Sequence, residues 1–128
     1  MLLVRWLWAA KCICTPFSAD DVVFSVERAR ADGSQVKSRL PADAEAVKVD
    51  DHTVDFKLKS PNPILHAEWD TWYIFSKKWA EANGATKPQS ASATSINPWA
   101  LKANGTGPFV VESHQPGVKT VFKPNPGW

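Results

Sequence analysis

The segment PFSADDVVFSVERARA, residues 16–31, places the strongest constraint on the fold, because it combines a start signal and a buried face for one helix. Ser18 is a favourable N-cap residue, and Asp21 at the third helical position can complete a capping box with it. Arg28 and Arg30 are favourable charges near the end of this helix, which is expected near Asp32-Gly33. Apolar residues recur at helical spacing and predict the face that packs on a core: Val22, Val23, Val26 and Ala29.

A run of alternating apolar residues predicts a first β-hairpin. Apolar residues alternate within 47–49 and again within 54–58, and residues 50–53 between them are typical of a turn. Pro61 and Pro63 end the second strand, because proline cannot donate a hydrogen bond to a neighbouring strand. We expect one face of this hairpin to be buried.

The stretch NGTGP, residues 104–108, raises the question of a phosphate-binding loop. Neither known fingerprint fits, because no Gly-Lys-Ser/Thr follows and Val110 stands where a dinucleotide loop needs its third glycine. Pro108 also removes a backbone donor. The stretch therefore opens a strand of a second hairpin, which turns at residues 115–117. Gly107 is expected to adopt a backbone conformation that only glycine tolerates.

Charge and hydropathy exclude several classes of protein. The 15 basic and 13 acidic residues are interspersed, so no basic stripe indicates nucleic-acid binding. No apolar run approaches the roughly 20 residues that span a bilayer. Cys12 and Cys14 supply at most two metal ligands and have no histidine near them, whereas zinc sites need three or four ligands. Neither a metal nor a cofactor is expected.

Residues 64–84, ILHAEWDTWYIFSKKWAEANG, form the most aromatic part of the chain. The pattern predicts a helix over 64–69, a short strand over 73–75, and a second short helix that Ser76 caps. A long surface loop is expected over residues 86–105, which are rich in Ser, Thr and Ala.

Tryptophan is common both in cores and in binding clefts, so each aromatic side chain of this stretch has two interpretations. Core packing is the favoured interpretation for Tyr73 and Trp79. Trp69 and Trp72 flank a polar pair, Asp70-Thr71, and a ligand-facing role is the hypothesis for them.

Four segments follow one another along residues 16–128: PFSADDVVFSVERA, VKVDDHTVDFKLKSPNP, IFSKKW and NGTGPFVVESHQPGVKTVFKPNPGW. Their order and content resemble the extracytoplasmic solute-binding proteins of ABC transporters, family 5, the peptide- and nickel-binding class. The resemblance implies an α/β fold. In this chain we expect an α+β-like fragment, with two β-hairpins and short helices, that forms part of a periplasmic-binding-protein type II-like lobe.

The same resemblance implies a function. Family members deliver peptides or similar small solutes to an ABC permease from a periplasmic or other extracytoplasmic location, without catalysis. The loop before the IFS segment lies towards the ligand cleft in this family, which assigns ligand binding to Trp69, Asp70 and Trp72. The implied partners of the full-length parent are the solute and the permease; no nucleic acid is implied, and a monomer is expected.

Two other classes of function are the alternatives. A small hydrolytic enzyme would need a nucleophile–base pair, yet His52, His66 and His114 each lie in or beside a predicted turn without a partner motif. His66 and Glu68 are two residues apart and would not share a helix face. A structural module without a ligand is the third interpretation.

Residues 1–14 depart from the family pattern, whereas residues 15–128 are expected to form a partial family 5 domain. Arg5 and Lys11 interrupt the apolar residues at the start of the chain, so no convincing signal peptide is predicted. The alternation there fits a strand or a short helix, and we expect this segment to contribute little to the core. Because family members are several times longer and have two lobes, the chain is expected to be a fragment of the first lobe.

Overall fold

The computed structural model describes residues 3–4, 16–69, 72–102 and 104–128. Its helices and strands are, in chain order, β1 (Leu3–Val4), α1 (Ala19–Arg30), β2 (Glu45–Asp50), β3 (Thr53–Lys57), α2 (Leu65–Glu68), α3 (Lys77–Ala82), β4 (Phe109–Gln115) and β5 (Lys119–Pro124). Short 3-10 turns at Lys37–Arg39 and Pro98–Leu101 lie in the connections. The two predicted hairpins and the predicted short helices are confirmed.

α1 begins where its capping residues predict. The backbone N–H of Ser18 donates to the carboxylate of Asp21 over 2.9 Å, which is one of the two bonds of a capping box. The helix ends at Arg30, and Gly33 beyond it has a φ of +88°, a conformation that favours glycine. The buried apolar residues of the helix are Ala19, Val22, Val26 and Ala29.

The first hairpin supplies two strands of an antiparallel three-stranded sheet in the order β1-β3-β2. Ala46 pairs with Phe56, and Lys48 pairs with Val54. Because side chains alternate along a strand, Ala46, Val54 and Phe56 share one face, which packs against the apolar residues of α1. Val49, at an irregularity of the β2–β3 register between Lys48 and Asp50, is 57% exposed. The alternation therefore predicted the hairpin, but not which face of β2 is buried.

β1 occupies an edge of this sheet. Its two residues pair antiparallel with Val54 and Asp55 of β3, so part of the segment that the sequence left open between strand and helix is a strand. Residues 1–2 and 5–15, which include Cys12 and Cys14, lie outside the described residues.

The core lies between α1 and the sheet and continues towards the aromatic stretch. One buried cluster contains Ala19, Val22 and Val54, and a second contains Val26, Ala29 and Leu40. Trp72 packs against both clusters, whereas Trp69 packs against the second.

The predicted strand over residues 73–75 is wrong. Residues 72–76 adopt no regular secondary structure, and the N–H of Phe75 donates to the hydroxyl of Ser25 on α1 over 2.8 Å. This backbone donor is therefore satisfied by a helix side chain instead of a neighbouring strand. The predicted second helix is confirmed as α3, with the hydroxyl of Ser76 accepting from the N–H of Trp79.

The surface loop predicted from the Ser- and Thr-rich stretch is also confirmed. Residues 90–98 are all exposed. The side-chain amide of Gln89 crosses the loop, because it donates to the carbonyl of Ser95 over 2.8 Å and accepts from the N–H of Asn97 over 3.0 Å.

β4 and β5 form the second hairpin, with a bulge between Val111 and Ser113. Gly117 in its turn has a φ of +74°. The expectation for Gly107 is wrong, because its φ is not positive and an added Cβ would meet no atom within 4 Å. The side-chain amide of Asn125 donates to the carbonyl of Gly107 over 2.7 Å, so a hydrogen bond holds this strand opening, and no glycine-specific conformation is needed.

Gly117→Ala is expected to lower the free energy of local unfolding of the second hairpin by about 1–2 kcal/mol, since an L side chain in the left-handed region is strained. Hydrogen exchange of the β4 and β5 amides measures this loss. Gly107→Ala is the matched control and should leave those exchange rates unchanged. Equal acceleration by the two substitutions would contradict the assignment of the glycine requirement to the turn.

Candidate functional site

A cavity of about 320 Å³ with aromatic walls opens beside α1. Four parts of the chain that are distant in sequence form its walls: one face of α1, residues 34–36, residues 72–75, and the loop that leads to the 3-10 turn at Pro98–Leu101. The aromatic residues that line it are Trp72, Tyr73, Phe75 and Trp99. Small-molecule sites are commonly concave, largely apolar and lined by a few polar groups, and this cavity has that character.

Arg28 supplies the charged group of the cavity. Its guanidinium carbon lies 4.4 Å from the ring centroid of Phe75 and 5.2 Å from that of Trp99, which are cation–π distances. Its Nε donates to the carbonyl of Ala85 over 2.9 Å. Burial lowers the pKa of the Arg28 guanidinium, but an arginine stays protonated at neutral pH. The cavity therefore holds a positive charge between aromatic rings.

Polar side chains on one face of α1 hold the aromatic segment of residues 72–77 in place through hydrogen bonds. Asp21, Ser25 and Arg28 stand at positions i, i+4 and i+7 and so lie on one side of the helix. The hydroxyl of Ser25 donates to the carbonyl of Asp21 over 2.6 Å and accepts from the N–H of Phe75. The Asp21 carboxylate accepts from the N–H of Lys77 over 2.8 Å at the start of α3. α1 thus packs on the core with one face and holds the aromatic segment with the other.

Trp72 and Trp69, two of the three residues that the sequence assigned to ligand binding, have different surroundings. Trp72 is half-buried and lines the cavity. Trp69 packs behind it, with ring centroids 4.4 Å from Phe56 and 5.5 Å from Trp72, and its indole N–H is buried without a hydrogen-bond partner. Asp70 lies outside the described residues. Their ligand-binding roles stay predictions.

Other residues of the cavity were missed from the sequence. The core prediction for Tyr73 is wrong, because this residue is 75% exposed where it lines the cavity. Residues 72–75 contact α1 through the side chain of Trp72 and through the backbone N–H of Phe75. The Tyr73 side chain is left facing solvent. Arg28 was interpreted only as a favourable charge near the helix end. Its spacing from Asp21 was the signal that could have identified a polar helix face.

The three histidines lie on different elements and none of them lines the cavity. His52 is exposed in the first hairpin turn and His66 is exposed on α2. On the second hairpin, Nδ1 of His114 is 2.9 Å from the hydroxyl of Thr120. Glu68, the acidic residue two positions after His66, accepts a hydrogen bond through its carboxylate from the side-chain amide of Asn62.

Within the part of the chain that the structure describes, no group of three or more His, Cys, Asp or Glu side chains could hold a metal ion. Among the same residues, no helix is long and apolar enough to cross a bilayer.

A larger depression of about 630 Å³ lies where β3 ends. It is lined by residues 55–63 and Leu65, which are almost one continuous segment. Because separate elements do not converge there, the cavity beside α1 is the better candidate for a site.

The fold and the sequence have known relatives. The family model for bacterial extracellular solute-binding proteins, family 5 Middle, matches residues 15–128. The probable D,D-dipeptide-binding periplasmic protein DdpA of Escherichia coli (strain K12) is 32% identical over 114 residues, which cover 88% of this chain and 21% of that protein. NikZ from Campylobacter jejuni, whose crystal structure contains Ni(L-His), aligns with a TM-score of 0.68 and 22% identity over 88% of this chain and 21% of NikZ.

These likenesses decide the fold and the family. The agreement with NikZ confirms the predicted α/β fold of a binding-protein fragment. The chain spans 21% of the length of each of the two relatives. With the family model matching from residue 15 to residue 128, the chain belongs to the bacterial extracellular solute-binding proteins of family 5.

Proposed function

We propose that this chain is part of the substrate-binding component of an ABC transporter, and that its aromatic cavity forms one wall of the solute site. The observation that carries the proposal is the family match over residues 15–128, together with a cavity in that same region. The parent protein would act outside the cytoplasm, deliver its solute to a membrane permease, and perform no catalysis.

The proposed solute is a peptide or a similar small molecule. The name of DdpA, a probable D,D-dipeptide-binding protein, supports this class. An aromatic wall offers apolar contact to side chains of a peptide, and the guanidinium of Arg28 favours a carboxylate nearby. Trp72 and Tyr73 are the proposed wall residues. Asp70 is kept as a proposed contact on sequence grounds, and Trp69 would support Trp72 from behind.

A single wall cannot reproduce the affinity of a closed site. In the resembling family two lobes enclose the solute, and this chain spans 21% of the length of its relatives. A micromolar site corresponds to about −8 kcal/mol of binding free energy and a millimolar site to about −4 kcal/mol. If half of the contacts are absent, the expected affinity of this chain is millimolar or weaker.

Amide resonances that report the proposed wall should therefore shift only at millimolar peptide. The measurement is an ¹⁵N-labelled titration of the 128-residue chain with mixed di- to pentapeptides. Residues of α1 and residues 72–75 should shift together. Tyr73→Ala should abolish the shifts, because it removes an exposed wall residue. Trp128→Ala is the matched control, since Trp128 is 76% exposed and Tyr73 is 75% exposed.

Two results would contradict the proposal. Shifts confined to other surfaces would remove the cavity as the solute wall. Saturation at micromolar peptide would show that the site is complete within this chain.

A further inference from the structure

We propose that Ser25 is a positioning residue that sets the geometry of the aromatic wall through the backbone of Phe75. The inference rests on the proposed function, because it concerns the same cavity, and it adds a residue that neither the sequence patterns nor the family match assigns. Ser25 is 2% exposed, so it acts on the wall from inside the protein.

The first part of the argument is a chain of hydrogen bonds. The N–H of Phe75 donates to the hydroxyl of Ser25 over 2.8 Å, and that hydroxyl donates to the carbonyl of Asp21 over 2.6 Å. A hydroxyl offers one donor and two acceptor positions, so Ser25 can serve both partners at once. Residues 72–76 belong to no sheet, and this bond therefore takes the place of a strand ladder at Phe75.

The second part is that Phe75 is held at both its backbone and its ring. The guanidinium of Arg28, one turn after Ser25, lies over the Phe75 ring at 4.4 Å. Two residues further on, the N–H of Lys77 is held by the carboxylate of Asp21 over 2.8 Å. Tyr73 therefore lies between two residues with fixed positions. Phe75 is held by Ser25 and Arg28, and Trp72 packs against the core. A shift of the Phe75 backbone would move that wall.

The third part is that Ser25 slightly lowers the stability of α1 itself. Serine is a poorer residue than alanine inside a helix, and a hydroxyl that bonds back to the carbonyl four residues earlier slightly destabilises the helix. Outside α1, the Ser25 hydroxyl contacts the backbone of Phe75, which lies 50 residues away in the sequence. Ser25→Ala removes this acceptor and leaves the Phe75 N–H unpaired, while it improves the helix propensity of α1.

The test compares Ser25→Ala with the unsubstituted 128-residue chain by hydrogen exchange and ¹⁹F NMR. The Phe75 amide is expected to exchange about tenfold faster, because its part-buried N–H loses its hydrogen-bond acceptor. The Lys77 amide, held by Asp21, should keep its rate. In chain labelled with 5-fluorotryptophan, the resonances of Trp72 and Trp99, assigned from Trp→Phe variants, should shift or broaden. Ser38→Ala, at an exposed serine, is the control and should change neither readout.

Unchanged Phe75 exchange and unchanged Trp72 and Trp99 resonances would overturn the proposal. So would a uniform acceleration of all slowly exchanging amides, because that result indicates a purely structural role. If Ser25→Ala does not fold, Ser25→Cys, of similar size and with a weaker acceptor, provides the same comparison with a smaller expected shift. Neither readout uses a solute, so a failed peptide titration and a failed positioning role are distinguishable.

Discussion

Replacing Asp21 with Ala is expected to lower the free energy of unfolding by about 2–4 kcal/mol, because one carboxylate caps two helices. Asp21 is 7% exposed. One of its oxygens accepts from the N–H of Ser18 over 2.9 Å and the other from the N–H of Lys77 over 2.8 Å. Hydrogen bonds to a charged group contribute more than neutral ones, and the substitution removes the acceptor of two part-buried backbone donors.

Urea unfolding followed by tryptophan fluorescence measures this loss. Asp20→Ala is the matched control, since Asp20 is the neighbouring acidic residue of the same first turn. Its carboxylate is exposed and pairs with Lys48 over 2.6 Å, and this pairing holds the pKa of Asp20 below its usual value. Surface ion pairs contribute little to stability, so Asp20→Ala should have a much smaller effect. Equal losses in the two variants would contradict the assignment of the helix caps to Asp21.

Trp69→Ala is expected to lower the free energy of unfolding by about 2–4 kcal/mol, in the range of other large-to-small substitutions of packed aromatic residues. The Trp69 ring lies 4.4 Å from the Phe56 ring and 5.5 Å from the Trp72 ring, between centroids. It also packs against the buried cluster of Val26, Ala29 and Leu40. Its removal would leave a cavity behind the wall residue Trp72.

Thermal and urea unfolding of Trp69→Ala and Trp128→Ala separate packing from solute contact. Trp128 is 76% exposed, and its replacement should leave stability unchanged. If Trp69→Ala is as stable as the unsubstituted chain but weakens the peptide-induced shifts, then Trp69 is a solute contact and not a packing residue.

The local elements were predictable, because their signals lie within a few residues of one another. Ser18 and Asp21 identify the start of α1, and residues 50–53 identify the turn of the first hairpin. Gly117 was placed correctly in the second turn, but the conformational need for glycine was assigned to Gly107. That need depends on φ, and a Gly-x-Gly spacing does not determine φ.

The cavity was only partly predictable. Trp72 was identified because it lies in a tryptophan-rich loop, whereas Tyr73 was assigned to the core. Hydrophobicity alone cannot tell these neighbours apart, since the side that faces α1 depends on how the segment docks. Arg28 was recognised as a charge near a helix end. The two aromatic rings that its guanidinium contacts, those of Phe75 and Trp99, come from distant parts of the chain, so the sequence did not indicate these contacts.

The sequence by itself determined the family, the two hairpins and the capped helix, because capping, turn formation and alternation are short-range effects. Only the tertiary structure decided which face of β2 is buried, and that Phe75 bonds to a serine of α1 instead of a neighbouring strand. Both outcomes depend on contacts between residues far apart in the chain. A backbone donor takes whichever acceptor the packed fold brings within hydrogen-bonding distance, and for Phe75 that acceptor is 50 residues away.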